Sequence, residues 1–235
     1  MSASLAIVIP VYPGVTELDV TGPYQFLVRL PDATVTVASL GGQPVSTEGL
    51  TFSDLADLDG ISRCDVLCVP GSARCAEMME DASFLAAVRR LALGAGTIAS
   101  VCNGSLLLGA AGLLKGKRAA CHWAWRELLP LFGAIPDPAR VVRDGNVLSG
   151  GGVTAGIDLA LALIAHLRGA EAAQLIQLNL EYAPDPPFHA GRPETAPAEI
   201  LAAAQARLNP PMPARRVAAE HAAARMPETL VSQAR

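Results

Sequence analysis

Aromatic side chains are scarce in this chain, at 4% of residues, and charged ones are few, at 17%. A core short of Phe, Tyr and Trp must be built from Ala, Leu, Val and Gly. That composition suits helices packed closely on a parallel sheet. No run of Lys or Arg exceeds two residues, and the formal net charge is −4. The basic footprint of a nucleic-acid binder is therefore missing. No apolar stretch approaches the roughly 18 residues of a membrane-crossing helix, so neither nucleic acid nor membrane is expected as a partner. The apolar run Leu5 to Val11 has no basic segment before it and only strand length, unlike a secretory signal. The expected address is the cytoplasm. Five cysteines are present: Cys64, Cys68, Cys75, Cys102 and Cys121. Their odd count and the lack of Cys-x-x-Cys spacing argue against a disulfide framework or a zinc site.

What is present is a 235-residue chain that is 51% apolar, long enough for one domain buried on both faces of a sheet. Leu5 to Val11, Thr34 to Leu40, Asp65 to Val69 and Thr97 to Val101 read as strands. Between them come helical stretches at 17–30, where Pro23 should mark a break or a fresh first turn, and at 81–93. A small-residue helix should follow Cys102, with a short strand at 118–122 and a further helix at 123–132. Asp144-Gly145 between two apolar runs signals a hairpin. Thr154 then caps an apolar helix to Leu167, and another helix covers 170–182. Residues 183–197 are Pro-rich and irregular, 198–208 are helical, and 209–235 read as a loose Pro/Ala/Arg tail. Strands alternating with helices predict an α/β, doubly wound, mostly parallel sheet. In such sheets the site lies at the carboxyl ends of the strands. The turn near Asp19, the Pro70-Gly71 turn and Cys102 all fall there.

Ser100-Val-Cys-Asn-Gly104 has the form small-x-nucleophile-x-small, the pattern of a nucleophile elbow with cysteine in the place of serine. The turn crowds its flanks, so Ser100 and Gly104 must be small. It also sets the sulfur at a helix start, where the macrodipole favours thiolate. The backbone N–H of Asn103 is a candidate donor to developing negative charge, with Gly71 or Ser72 as the second. The bland alternative is that Cys102 is one more buried core cysteine. A proton partner is needed. His122 is the only histidine at a strand end near the site, and Glu17 or Asp19 could supply a carboxylate. Asp19 could equally be a helix-start capping residue.

Leu18-Asp-Val-Thr-Gly-Pro23, Val69-Pro-Gly71, Ser100-Val-Cys102, Gly109 to Leu113, His122-Trp123 and Gly150 to Asp158 together resemble the PfpI-like branch of the class-I glutamine-amidotransferase-like superfamily. Within it they look most like the bacterial isonitrile hydratases. The resemblance covers about residues 4–208. It implies a flavodoxin-like fold, a homodimer, and a reaction without metal or organic cofactor. In that reaction water adds to an isonitrile, giving an N-substituted formamide. Cys102 matches the catalytic cysteine of these enzymes and Asp19 their acidic partner. Glu17 does not match. Isonitrile hydratases carry threonine after the cysteine, where this chain has Asn103, whose side chain is expected to reach water or substrate. Two other readings use the same elbow: a glyoxalase- or deglycase-like hydratase of small carbonyl compounds, and a cysteine-based redox or ligand sensor without turnover. Relatives fused to helix-turn-helix regions motivate the sensor, but Pro210, Pro211 and Pro213 argue against helices after Asn209.

Overall fold

A computed structural model describes residues 4–226. Its frame is a seven-stranded sheet in the order β10-β11-β7-β6-β1-β2-β5. The strands are β1 (Leu5–Pro10), β2 (Ala33–Ser39), β5 (Ala56–Asp57), β6 (Val66–Val69), β7 (Thr97–Ser100), β10 (Val141–Asp144) and β11 (Val147–Gly150). Two small ladders complete the set, β3 (Val45–Ser46) with β4 (Thr51–Phe52), and β8 (Arg118–Ala119) with β9 (Ile135–Pro136). Every neighbouring pair in the large sheet is parallel except β10 with β11, the hairpin expected at Asp144-Gly145. The central strands are mostly apolar because both of their faces are covered: all four residues of β6 and of β7 are buried, the polar Thr97 and Ser100 included, and Ile7, Val8 and Ile9 of β1 are too. This is the doubly wound, flavodoxin-like α/β fold.

The helices are α1 (Glu17–Leu27), α2 (Cys75–Met78), α3 (Ala82–Gly94), α4 (Gly104–Ala110), α5 (Ala155–Arg168), α6 (Ala170–Asn179), α7 (Ala198–Leu208) and α8 (Met212–Ala224). Asp81 caps α3 by accepting a 2.9 Å hydrogen bond from Phe84 N–H. Phe84, Leu85, Val88 and Leu91 then face the sheet at helical spacing. Every residue of α4 is buried. Helices α1 and α5 meet at small residues. A Cβ on Gly156 would lie 3.2 Å from the Pro23 ring, and one on Gly22 would lie 3.4 Å from Ile157. That close approach fixes the end of α1 that carries Asp19.

Three local expectations need correction. Pro23 does not break α1, which runs through it to Leu27. The ring is buried against Gly156, and that packing offsets the missing backbone donor. The stretch expected as a helix at 123–132 is a turn followed by a 3₁₀ helix, Arg126–Phe132. Pro130 cannot donate the i→i−4 bond an α-helix would need there, and Gly133 ends the segment at φ 70°. Finally, 212–224 form α8 rather than part of a loose tail. Pro211 and Pro213 sit at its cap and first turn, where a missing N–H costs nothing. Ala218, Ala219 and Ala222 bury a face of α8 against α2, α4 and the 3₁₀ helix. Residues 227–235 of the expected tail lie outside the described residues. No described helix is long and apolar enough to cross a membrane.

Candidate active site

Strand β7 ends at Ser100, and Cys102 follows with φ 58°. A non-glycine residue in the left-handed region is uncommon and marks a strained turn. The turn is held because Val101 N–H donates to Val69 O (3.0 Å) and Gly104 N–H donates to Val101 O (2.9 Å). Both flanks are crowded. Ser100 is fully buried, and a Cβ on Gly104 would lie 2.3 Å from Val69 O and 2.8 Å from Pro70 O. These are backbone atoms that cannot swing away. Gly104→Ala is therefore expected to destabilise the protein by about 3 kcal/mol or more. In a domain of this size that lowers the melting temperature by roughly 10 °C in a thermal unfolding experiment. An unchanged melting temperature would mean the elbow is looser than described.

Asp19 arrives from α1. The loop after β1 is stitched to the Pro70-Gly71 turn: Val15 bridges Ser72, and Thr16 N–H donates to Gly71 O at 3.0 Å. Tyr12, a residue that the motif reading did not single out, adds its hydroxyl to Pro70 O at 2.8 Å from below the turn. Its place at the carboxyl end of β1 was the available signal. The Asp19 side chain is completely buried. Its Oδ2 accepts from Gly71 N–H at 2.9 Å, and its Oδ1 has no hydrogen-bond partner among the described residues. Burial pushes the Asp19 carboxyl up to about 7, opposed by the Gly71 N–H and by the neighbouring Cys102 thiol. Glu17, the other carboxylate considered, turns away to Thr47 and Glu48.

Cys102 is only 6% exposed. Burial raises its pKa well above the ordinary thiol range, and the adjacent Asp19 charge adds to this. Cys121 and Cys75 push the same way, while the Asn103 N–H directed at the sulfur opposes them. The expectation of a thiolate favoured by the helix start is thus outweighed. Two acids buried side by side resist carrying two charges, so loss of a proton from either Cys102 or Asp19 makes loss of the second harder. Cys75 and Cys121 sit close to this pair. The Cys75 thiol donates to Asn103 O at 3.4 Å.

The oxyanion donors differ from expectation. Gly71 N–H is already bonded to Asp19, and Ser72 N–H donates to Asn103 Oδ1 at 2.8 Å. The Asn103 amide nitrogen in turn donates to Ser72 O at 2.8 Å. Both polar ends of Asn103 are spent on one backbone unit, so its side chain neither caps α4 nor reaches toward a substrate. It clamps the turn after β6 to the elbow. Asn103 N–H, aimed at the sulfur, remains the donor closest to the chemistry.

His122 is placed beside the elbow by its own N–H, which donates to Cys102 O at 3.3 Å. Its Nδ1 accepts from Ala124 N–H at 3.2 Å, so the neutral ring carries its proton on Nε2. Burial, and then the Arg215 charge, lower its pKa. The ring stacks on Trp123 with centroids 5.7 Å apart and lines a pocket of about 220 Å³.

A model of the DJ-1/PfpI family matches residues 5–166. The chain belongs to the DJ-1/PfpI family. Among its relatives is a protein of Pseudomonas putida named isonitrile hydratase, 49% identical over 216 residues, which span 92% of this chain and 95% of that one. The crystal structure of a THiJ/PfpI family protein from Pseudomonas syringae superposes with a TM-score of 0.86 at 39% identity, covering 94% of this chain and 91% of its own. Drosophila melanogaster DJ-1beta shares the fold at 24% identity, with a TM-score of 0.67 over 77% of this chain and 100% of its own.

Proposed function

We propose that the chain is an isonitrile hydratase that works through Cys102 and Asp19. The observation that carries this reading is the buried Cys102–Asp19 pair with its partner-free Oδ1, in a chain whose near-full-length relative bears that name. With one proton on the pair, the Cys102 sulfur adds to the terminal carbon of R–N≡C. Asp19 delivers its proton to the same carbon, giving a thioimidate, R–N=CH–S. The Asp19 carboxylate then draws a proton from water as the water oxygen adds to that carbon. The nitrogen takes up one of the two water protons and the other returns to Asp19. Collapse expels the thiolate and releases R–NH–CHO. The Asn103 N–H steadies negative charge on sulfur at both ends of the cycle.

Incubation with cyclohexyl isocyanide should yield N-cyclohexylformamide, identified by mass spectrometry. Absence of the formamide together with consumption of methylglyoxal would replace this reading with the carbonyl-hydratase one.

A homodimer is part of the proposal. The family resemblance supports it, as do the large apolar side chains left exposed, Leu178 at 77% and Phe188 at 79%. Light scattering should give twice the chain mass of 24.3 kDa, and a monomer would contradict it. Five unpaired thiols suit a reducing compartment, which supports the cytoplasm as the address.

A further inference from the structure

We propose that the pocket beside the elbow selects isonitriles whose substituent carries a carboxylate, an inference that rests on the hydratase reading. Cys121 and His122 line the pocket, and the His122 N–H donates to Cys102 O, which sets the pocket next to the elbow although Cys102 is not itself in its wall. At about 220 Å³ it is below the roughly 300–1,000 Å³ of pockets for drug-sized ligands, so it fits a small substituent. Its wall is not that of an alkyl site. Arg126, Arg140 and Arg192 line it, and Glu194 is the sole acid among the lining residues.

The partners of these arginines decide the charge left over. Arg140 is held by Asp158 and by the Thr154 carbonyl. Arg126 faces Glu194 at 3.7 Å. Arg192 donates to Pro138 O at 2.6 Å and, among the described residues, is in no ion pair. Three guanidinium groups thus meet two carboxylates, leaving one positive charge in excess. This excess belongs to the pocket rather than to general basicity, since the whole chain carries −4. A neutral alkyl isonitrile gains nothing from it. A carboxylate matches the planar donor fork of a guanidinium in charge and geometry. The stacked His122 and Trp123 rings supply the flat apolar side for the rest of the substituent.

The test compares isocyanoacetate with its neutral ethyl ester as substrates of the full chain. The expected kcat/KM ratio, acid over ester, is about two to five, in line with a charge contact to the exposed Arg192 guanidinium. Arg192→Gln should lower that ratio to about one, and Arg192→Lys, which keeps the charge, should retain most of it. Arg63→Gln, at the opposite end of the sheet where Arg63 pairs with Asp65, should leave the ratio unchanged. A ratio of one or below in the parent, or an unchanged ratio in Arg192→Gln, overturns the proposal while leaving the hydratase reading intact. If neither isocyanide is hydrated, it is the hydratase reading that falls. Calorimetry with N-formylglycine and its ethyl ester then decides the pocket's preference alone: tighter binding of the acid supports it, and equal binding removes it.

Discussion

Cys102→Ala is expected to abolish formamide production and leave the fold intact. The covalent route has no substitute for the sulfur: Cys75 and Cys121 are fully or nearly fully buried and neither stands on the elbow. Deleting a nucleophile typically removes most of the catalytic advantage, so the rate should fall by about 10³-fold or more. Stability should change little for a local reason. The strain of φ 58° arises from the Cβ, which cysteine and alanine share. Alanine also removes a thiol that burial disfavours as a charge, and it needs no hydrogen-bond partner. Steady-state assay and thermal unfolding check the two halves. A residual rate within ten-fold of the parent would eliminate the thioimidate.

Asp19→Asn should reduce turnover by about 10²–10⁴-fold, the usual worth of a positioned general acid–base. The amide can keep the bond from Gly71 N–H through its oxygen, so the geometry should survive while proton transfer does not. The pH profile separates the two. In the parent, kcat/KM should fall as pH drops below about 7, because the pair then takes up a second proton and no nucleophile is left. In the variant the limb should move to higher pH, where the buried Cys102 thiol ionises without Asp19.

Stability should move in the opposite sense to activity. The folded-state carboxyl holds its proton up to about pH 7, whereas its ordinary pKa is 3.8. Its favourable contribution is therefore fully present below about pH 4 and is lost as pH rises to 7, at about 1.4 kcal/mol per pH unit. Asp19→Asn removes that loss, so the variant should melt higher than the parent at pH 8 and about equally at pH 4. Equal melting at both, with a rate near the parent's, would reduce Asp19 to a residue at the start of α1.

The sequence by itself determined the frame and, through the elbow pattern and the family resemblance, singled out Cys102 and Asp19 as the proposed pair. Strand-length, mostly apolar runs at 5–11, 65–69 and 97–101 mean strands covered on both sides, and covered parallel strands place chemistry at their carboxyl ends. Ser100 and Gly104 around Cys102 are a local steric demand of a tight turn. Such signals survive in one dimension because they depend on neighbours a few residues away. Tertiary structure alone decided how the polar groups are spent. Whether Gly71 and Ser72 N–H are free depends on Asp19 and Asn103, residues 52 and 31 positions away, reaching them first. Whether a thiol at a helix start ionises depends on burial by the whole fold, which here outweighs a seven-residue helix. Pro23 is tolerated because Gly156 lies against it, and α8 is ordered because α2, α4 and the 3₁₀ helix offer it a face. The arginines of the pocket, at 126, 140 and 192, carry no motif and become a charged wall only when the 3₁₀ helix, the residue before β10 and the Pro-rich segment meet. Hydrogen-bond occupancy, desolvation and charge balance are sums over neighbours in space, and spacing along the chain does not encode which neighbours those are.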